Sequence, residues 1–336
     1  MLTPPKAAIE ISVRKGAAAI VLPLLLAAGC AHAPPAPSAH LGLRGVLADV
    51  PMKFKVPAFL GVFRANVHVP VVDVRVNGES TRFIVDTGST HNVITTQLAK
   101  ELGITLRRSK ETGRDHAGAS VAVYETSPLR IAVASHEREL RDVLAIDAPA
   151  PLERFGIGGF LSPQTFVERG CVVLDLPGKR LLVTTDSLAD IRQGHSADRL
   201  RMTTVPRERV DGVDDRKLLV TVSLRDRDPA VAELDTGARR TEFVTSYLGV
   251  ADASAGQDGG LGVSGQQTKG RLVQGQYVRF GTGTSGPMDV LARNEIRKDE
   301  GVISAVLGID VLERFVVVVP AEPSEELLIF ESNQPK

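Results

Sequence analysis

The tripeptide Asp-Thr-Gly occurs twice in this chain, both times at the end of an apolar run, and no other feature constrains the fold as much. The copies lie 149 positions apart and, with the residue that follows each, comprise Asp86, Thr87, Gly88, Ser89 and Asp235, Thr236, Gly237, Ala238. Further landmarks keep this spacing, because Gly159 and Gly308 each lie 73 residues after their own aspartate. The same spacing relates Phe166 to Phe315. A repeat in register predicts two duplicated lobes.

Length and composition favour β structure in two lobes. The chain has 336 residues, which is longer than an ordinary single domain of about 100 to 200 residues. Tryptophan is absent, the apolar content comes from Val, Leu, Ile and Ala, and 31 Gly and 20 Pro supply turns. We therefore predict an all-β fold.

Both halves have the same order of predicted elements. An alternating strand at 72–76, a turn at Asn77-Gly78 and a second strand lead into Asp86. An alternating strand at 218–224, a polar turn and another strand lead into Asp235, and each half closes with strongly β segments. The predicted boundaries are a first lobe at 58–185, a polar linker at 186–214 and a second lobe at 215–331.

The order of an apolar strand into Asp-Thr-Gly, a hairpin, and a hydrophobic-hydrophobic-Gly strand resembles the pepsin-like and retroviral aspartic proteases, over nearly all of both lobes. The short halves bring the chain closer to the retropepsin-like branch. The resemblance implies a bilobal acid-protease-like fold, with two retropepsin-like β-barrel lobes and a central cleft. It also implies an aspartic endopeptidase with catalytic residues Asp86 and Asp235, no covalent intermediate and no cofactor. Because both half-sites belong to one chain, we expect an active monomer.

Two neighbouring carboxyl groups suit this reaction on physical grounds alone. Peptide hydrolysis needs a base to activate water and an acid to protonate the carbonyl oxygen. Two close aspartates cannot both ionise cheaply, so the pair shares one proton and provides both groups. Around them, the hydroxyls of Thr87 and Thr236 are expected to bond to the opposite loop, and Gly88 and Gly237 to let the backbone approach the carboxyls.

The resemblance also assigns roles beyond the aspartates. It implies that Ser89 bonds the outer oxygen of Asp86, which Ala238 cannot do for Asp235. Glycine-bearing stretches at 113–120 and 256–270 fit hairpins with mobile tips that would cover an extended peptide or protein substrate. The candidate flap residues are Gly113, Gly118, Gly262 and Gly265.

Two departures from the family pattern keep an alternative open. Gly158 stands where an apolar residue is expected, which predicts looser packing under the first loop. Arg239 and Arg240 come directly after Ala238 at the end of the second loop motif, and a cation that reached Asp235 would keep the pair doubly ionised. The alternative function is a catalytically silent bilobal lipoprotein that binds peptides or envelope partners. The intact triplets favour the enzyme, because a binding protein has little need of a buried like-charge pair.

The N-terminus reads as an export signal. Lys6, Arg14 and Lys15 precede an apolar stretch that is short for a membrane span, and residues 26–30, Leu-Ala-Ala-Gly-Cys, resemble a bacterial lipoprotein signal. We predict a signal peptide at 1–29, lipidation of Cys30 and a Pro/Ala-rich tether at 30–57. The resemblance implies a lipid anchor on the periplasmic face of the outer membrane. Cys171, the other cysteine, is expected to be a buried strand residue.

Other functions find little support in the sequence. The 40 basic and 40 acidic residues balance, so nucleic acid is not an expected partner. The seven histidines form no metal-binding motif, and no metal is implied. The segment 194–198, Gly-His-Ser-Ala-Asp, lacks the final glycine of a nucleophile elbow, which leaves a serine hydrolase as a distant third hypothesis.

Overall fold

The structure is a computed structural model that describes residues 41–54, 56–60, 63–115, 118–148, 152, 155–252, 269–298, 301–321 and 324–332. These residues all belong to one compact unit, residues 36–336. The predicted signal peptide, the lipidation site Cys30 and the flap residues Gly262 and Gly265 lie outside the described residues.

The first half is built from strands and short helices. Its strands are β1 (Val46–Pro51), β2 (Val56–Leu60), β3 (Phe63–Val67), β4 (Val71–Val76), β5 (Glu79–Val85), β6 (Val93–Thr95), β7 (Leu106–Arg114), β8 (Ser120–Thr126), β9 (Leu129–Val133), β10 (His136–Leu140), β11 (Leu144–Ile146), β12 (Ile157–Leu161), β13 (Cys171–Asp175) and β14 (Arg180–Thr184). Its helices are α1 (Thr96–Glu101) and α2 (Pro163–Phe166). Nine of the strands form one sheet, in the order β10-β9-β4-β5-β12-β6-β11-β8-β7, and β2 pairs with β3 as a separate ribbon.

The second half closes into a barrel. Its helices and strands are α3 (Leu188–Gly194), β15 (Leu200–Pro206), β16 (Leu219–Leu224), β17 (Ala230–Leu234), β18 (Glu242–Val244), α4 (Thr245–Leu248), β19 (Arg271–Phe280), β20 (Gly283–Arg293), β21 (Ile296–Lys298), β22 (Gly301–Ile303), β23 (Ala305–Leu307), α5 (Ile309–Leu312), β24 (Phe315–Pro320) and β25 (Glu326–Ser332). The barrel order is β16-β17-β23-β18-β20-β19, and β21 pairs with β22. The predicted all-β, acid-protease-like fold is confirmed.

A six-stranded sheet joins the two halves. Its order is β1-β14-β13-β24-β25-β15, so three strands of the first half are followed by three strands of the second half in one hydrogen-bonded sheet. At its centre β13 and β24 pair antiparallel, with Cys171 opposite Pro320 and Asp175 opposite Val316. Both strands are apolar runs buried on both faces, and each fully buried Val or Leu contributes about 1.5 to 3 kcal/mol. The halves are thus held together by a shared core as well as by the loops described below.

The folded body begins before the end of the predicted tether and continues through the predicted linker. Within 30–57, Leu41 is fully buried and β1 pairs with β14 at the sheet edge. Within 186–214, Ser187 caps α3 with a capping box, and β15 pairs with β25 over seven residues. Both strands lie at edges and find their partners far away in sequence, so local polarity and proline content concealed them.

Cys171 is a buried strand residue, as the sequence predicted. Cys171 is fully buried in β13, and this burial raises the pKa of its thiol to about 12. Among the described residues, no helix is both long enough and apolar enough to cross a membrane.

Candidate active site

The first Asp-Thr-Gly loop starts where β5 ends. The Asp86 main-chain N–H donates to the Leu161 carbonyl of the parallel neighbour β12, at 2.9 Å. The Gly88 N–H donates to Oδ1 of Asp86 at 2.8 Å. The sheet therefore fixes the backbone of the aspartate, and its own loop orients the carboxyl.

The second loop repeats this arrangement at the end of β17. The Asp235 N–H donates to the Leu307 carbonyl of β23 at 3.0 Å. The N–H groups of Gly237 and Ala238 donate to Oδ1 of Asp235, at 2.9 and 3.0 Å. Two main-chain donors of its own loop therefore orient the Asp235 carboxyl.

Thr87 and Thr236 connect the two loops symmetrically. The Thr87 hydroxyl donates to the Leu234 carbonyl, and the Thr236 hydroxyl donates to the Val85 carbonyl, both at 2.7 Å. Each hydroxyl also accepts the opposite threonine's N–H, at 3.0 and 3.1 Å. Both side chains are fully buried, so these polar groups would be costly to leave unpaired. The lobes consequently hold their aspartates in one fixed relation.

Gly88 and Gly237 face the opposite carboxyl groups. A β-carbon added to Gly88 would lie 2.6 Å from Cγ of Asp235, and one added to Gly237 would lie 2.8 Å from Cγ of Asp86. Real β-carbons do not tolerate contacts this short, so the close approach requires glycine at both places. The two aspartates thereby come together at the interface between the loops.

The surroundings of Asp86 favour the protonated form of its carboxyl. Burial, followed by the nearby negative charge of Asp235, raises the pKa of Asp86 from 3.8 to about 7. Lys217 and the Gly88 N–H act in the opposite direction, and Glu233 acts in the same direction as Asp235. Asp86 can therefore keep its proton to higher pH than an ordinary aspartate, as a general acid must.

A second layer of polar side chains supports the first loop, and the sequence analysis missed it. The Gln164 side-chain NH2 donates to the carbonyls of Thr87 and Ser89, at 2.9 and 2.8 Å. Ser162 donates through its hydroxyl to the Ser89 carbonyl at 2.7 Å, and Asn92 accepts the Ser162 N–H at 3.0 Å. Loop carbonyls with fixed donors cannot rotate freely, so this layer fixes the turn that follows Asp86.

The second loop has equivalent support from different residues. Thr241 accepts the Gly308 N–H at 3.1 Å and donates to Asp310 through its hydroxyl at 2.7 Å. Asn92 and Thr241 each lie six residues after their aspartate, and this common spacing was a usable sequence signal. Burial raises the pKa of Asp310, while its bonds to Thr241 and the charge of Arg240 oppose that rise.

The structure corrects the register of the hydrophobic-hydrophobic-Gly element. Leu161 and Leu307 receive the N–H of the two aspartates, so Ser162, and not Gly159, corresponds to Gly308. Ser162 and Gly308 each precede a short helix, α2 and α5. The 73-residue spacing of Gly159 is therefore coincidental, and so is the pairing of Phe166 with Phe315, because the connections differ in length.

Gly158 does not loosen the packing under the first loop. A β-carbon there would lie 2.3 Å from Oγ1 of Thr81 and 2.9 Å from Cδ2 of Leu98. The expectation of looser packing is wrong, because neighbouring side chains already fill the space that an apolar residue would take.

Two other sequence expectations change at this site. The Ser89 hydroxyl donates to the His91 carbonyl at 2.7 Å, so its proton is not directed at Asp86 as the resemblance implied. Arg239 is exposed, and Arg240 acts on Asp310. A cation that lowers the pKa of Asp86 is Lys217, which sequence reasoning did not single out.

The predicted first flap is a hairpin of β7 and β8. Gly113 lies in β7 opposite Val121, and Gly118 lies near the tip with a positive φ of 79°. The Gly118 N–H donates to the Asp115 carbonyl at 2.8 Å, which closes the turn. Within the described part of the chain, no group of three or more His, Cys, Asp or Glu side chains is placed to hold a metal ion.

Fold and site together define the class. The protein has an all-β, acid-protease-like fold with an Asp-Thr-Gly loop in each half. Residues 72–158, from β4 through the Asp86 loop and the hairpin to β12, match the model of a family described as aspartyl protease. No curated protein matches the sequence.

Proposed function

We propose that the protein is an aspartic endopeptidase that hydrolyses peptide bonds with a water molecule activated between Asp86 and Asp235. The close approach of each loop glycine to the opposite carboxyl is the observation that carries this proposal. The match of residues 72–158 to the aspartyl protease family supports protease activity in general. The arrangement of the second loop supports the finer claim that both halves contribute a catalytic residue.

The proposed reaction follows from the unequal carboxyls. Asp86, with its raised pKa, donates a proton to the substrate carbonyl oxygen, and the Asp235 carboxylate takes a proton from the attacking water. Water oxygen bonds to the carbonyl carbon and gives a neutral tetrahedral diol. The diol returns a proton to Asp86 as the C–N bond breaks, and Asp235 gives its proton to the leaving nitrogen. The dyad ends in its starting state, without a covalent intermediate or a cofactor.

The substrate class that fits this site is a peptide or unfolded protein segment in extended conformation. The β7–β8 hairpin offers an edge strand, because β7 is the last strand in its sheet order. An extended peptide can add to such an edge through main-chain hydrogen bonds. A single chain carries both loops, so we propose that the monomer is the active form.

We also propose that the folded body is tethered to a membrane through lipidated Cys30, on the periplasmic face of the outer membrane. The support is the small-residue run 27–29 before the cysteine and the proline-rich segment after it. Acyl labelling of the full chain, compared with Cys30→Ala, tests the anchor. Labelling that persists in the variant would refute it.

The decisive test of the enzyme is cleavage of an unfolded peptide library by residues 31–336, from about pH 3 to pH 8. The variants are Asp86→Asn and Asp235→Asn, and the matched control is Asp73→Asn, since Asp73 is an exposed aspartate paired with Lys53. We expect a bell-shaped profile that both dyad variants abolish and the control retains. If folded wild type never cleaves and all variants bind peptides alike, the chain is a silent peptide-binding scaffold instead.

A further inference from the structure

Beneath the dyad lies a buried ion pair that the proposed reaction does not itself require. Nζ of Lys217 lies 2.9 Å from Oε1 of Glu233, with side-chain exposures of 10% and 0%. The same ammonium donates to the Gly88 carbonyl at 2.6 Å. One cation thus bridges the second lobe's strand β17 and the first lobe's catalytic loop.

The corresponding positions in the first lobe are occupied by uncharged residues. Glu233 and Ile84 each lie two residues before their aspartate, opposite the first residue of the paired strand. Lys217 and Val69 each lie two residues before that strand begins. Val69 and Ile84 are both 5% exposed and belong to one apolar cluster. The second lobe therefore has an ion pair where the first lobe has two aliphatic side chains.

A buried ion pair in place of two aliphatic side chains is not expected to stabilise the fold, which indicates a functional role for the charges. Removing two charges from water is costly, and replacing a buried ion pair with apolar residues is often neutral or stabilising. The Lys217 main chain is fixed independently, because Arg207 donates to its carbonyl at 2.9 Å. The ammonium is therefore held at a defined place against the Gly88 carbonyl, and Gly88 in turn donates its N–H to Asp86.

We propose that Lys217 and Glu233 form a charge-compensated clamp that positions the Asp86 loop, and that each charge offsets the effect of the other on the pH range in which the dyad holds a single proton. Lys217 acts through Gly88 and through its field, and Glu233 prevents that field from ionising both aspartates. They are positioning residues, since neither is assigned contact with the substrate. The assignment rests on the proposed function, because it gives the pair a purpose only within a proton-sharing dyad.

Few charged groups act on Asp86 in the described residues. Asp235 acts from the opposite loop, Lys217 from the segment before β16, and Glu233 from β17. The next contact outward is Arg216, which pairs with Asp214 and donates to Nε2 of His91 at 3.1 Å. Histidine is the residue type that ordinarily titrates near neutral pH, so His91→Asn serves as the control for this outer group.

Removing either charge should shift the titration midpoint of the dyad, and the two shifts should have opposite signs. Lys217→Met removes a cation and should move the upper midpoint of the dyad to higher pH. Glu233→Gln leaves the cation uncompensated and should move it to lower pH, each by about one pH unit. Lys217→Val with Glu233→Ile copies the first lobe's pair, and should fold and titrate near the wild-type midpoint because the two effects cancel. A purely structural role would move no midpoint.

The experiment is a pH titration of full-length protein in detergent, followed by 13Cγ-aspartate NMR, with parallel cleavage profiles. The Asp86 resonance is identified by its loss in Asp86→Asn. Opposite shifts of the two single variants, with His91→Asn unshifted, are the expected result. Equal or absent shifts overturn the clamp, even if the protein cleaves peptides. Opposite shifts in a protein that cleaves nothing would refute the protease while the clamp stands. If Lys217→Met does not fold, the clamp is tested with the other two variants. It stands if Glu233→Gln moves the midpoint to lower pH and the double variant returns it to the wild-type value, and it is overturned if Glu233→Gln does not move the midpoint.

Discussion

Gly88 and Asp235 lie so close across the lobe interface that a β-carbon on the glycine would come within 2.6 Å of the carboxyl carbon. The glycine of one lobe is therefore part of the wall around the aspartate of the other. Its counterpart Gly237 stands in the same relation to Asp86. The pair of contacts makes each half dependent on the other for the geometry of its carboxyl.

Gly88→Ala should abolish peptide cleavage, because the new methyl group must displace the Asp235 carboxyl or separate the loops. The expected destabilisation is about 1 to 3 kcal/mol, measured by denaturant unfolding beside kcat/KM. Gly103→Ala is the control, because Gly103 has a positive φ of 64° but open space around it. It should cost about 1 kcal/mol and leave kcat/KM unchanged. Full activity of Gly88→Ala would contradict the contact.

Thr87→Val should destabilise the protein by about 1 to 3 kcal/mol, because it leaves the buried Thr236 N–H and the Leu234 carbonyl without their partner. Thr87→Ser keeps the hydroxyl and should lose less than half as much. Urea unfolding of the two variants measures the difference. Equal losses would mean that the methyl packing, and not the hydrogen bond, is responsible.

Stability should fall as pH rises through the interval between the unfolded and folded pKa of Asp86. The folded pKa is raised to about 7 from 3.8, so within this interval the folded protein holds a proton that the unfolded chain has released. The Asp86 contribution is complete below about pH 4 and is lost by about pH 7.

Asp86→Asn removes this dependence. At pH 8 the variant should be more stable than wild type by about 2 to 4 kcal/mol, and at pH 4 the two should be nearly equal. Thermal or urea unfolding at both pH values checks this, with Asp73→Asn as the exposed control. A difference that does not change with pH would mean that Asp86 titrates normally.

The corrected register of the two lobes predicts unequal effects at Gly308 and Ser162. Gly308→Ala would put a β-carbon 2.4 Å from the Arg240 backbone and should cost about 2 kcal/mol or more. Ser162→Gly loses mainly its bond to the Ser89 carbonyl, at about 1 kcal/mol. Unfolding free energies of both variants test the equivalence. A larger loss for Ser162→Gly would favour the original alignment on Gly159.

Sequence reasoning located the two triplets, the strand that leads into each aspartate, and the all-β class. These features depend on local periodicity and on glycine at tight turns, which the chain displays wherever it folds. The same reasoning misplaced the limits of the body, because β1 and β15 pair only with partners far along the chain. A short strand at a sheet edge has few buried positions, so its sequence lacks the apolar alternation that would predict a strand.

The sequence by itself determined that this protein carries two Asp-Thr-Gly loops, each at the end of a β strand. Only the tertiary structure decided which residues surround them. Ser162, and not Gly159, is the counterpart of Gly308, because hydrogen bonding between parallel strands sets the register of the two lobes and residue counting does not. Lys217 and Glu233 meet beside Asp86 because β16 and β17 pair in the fold, and a contact between two lobes leaves no periodic trace in either.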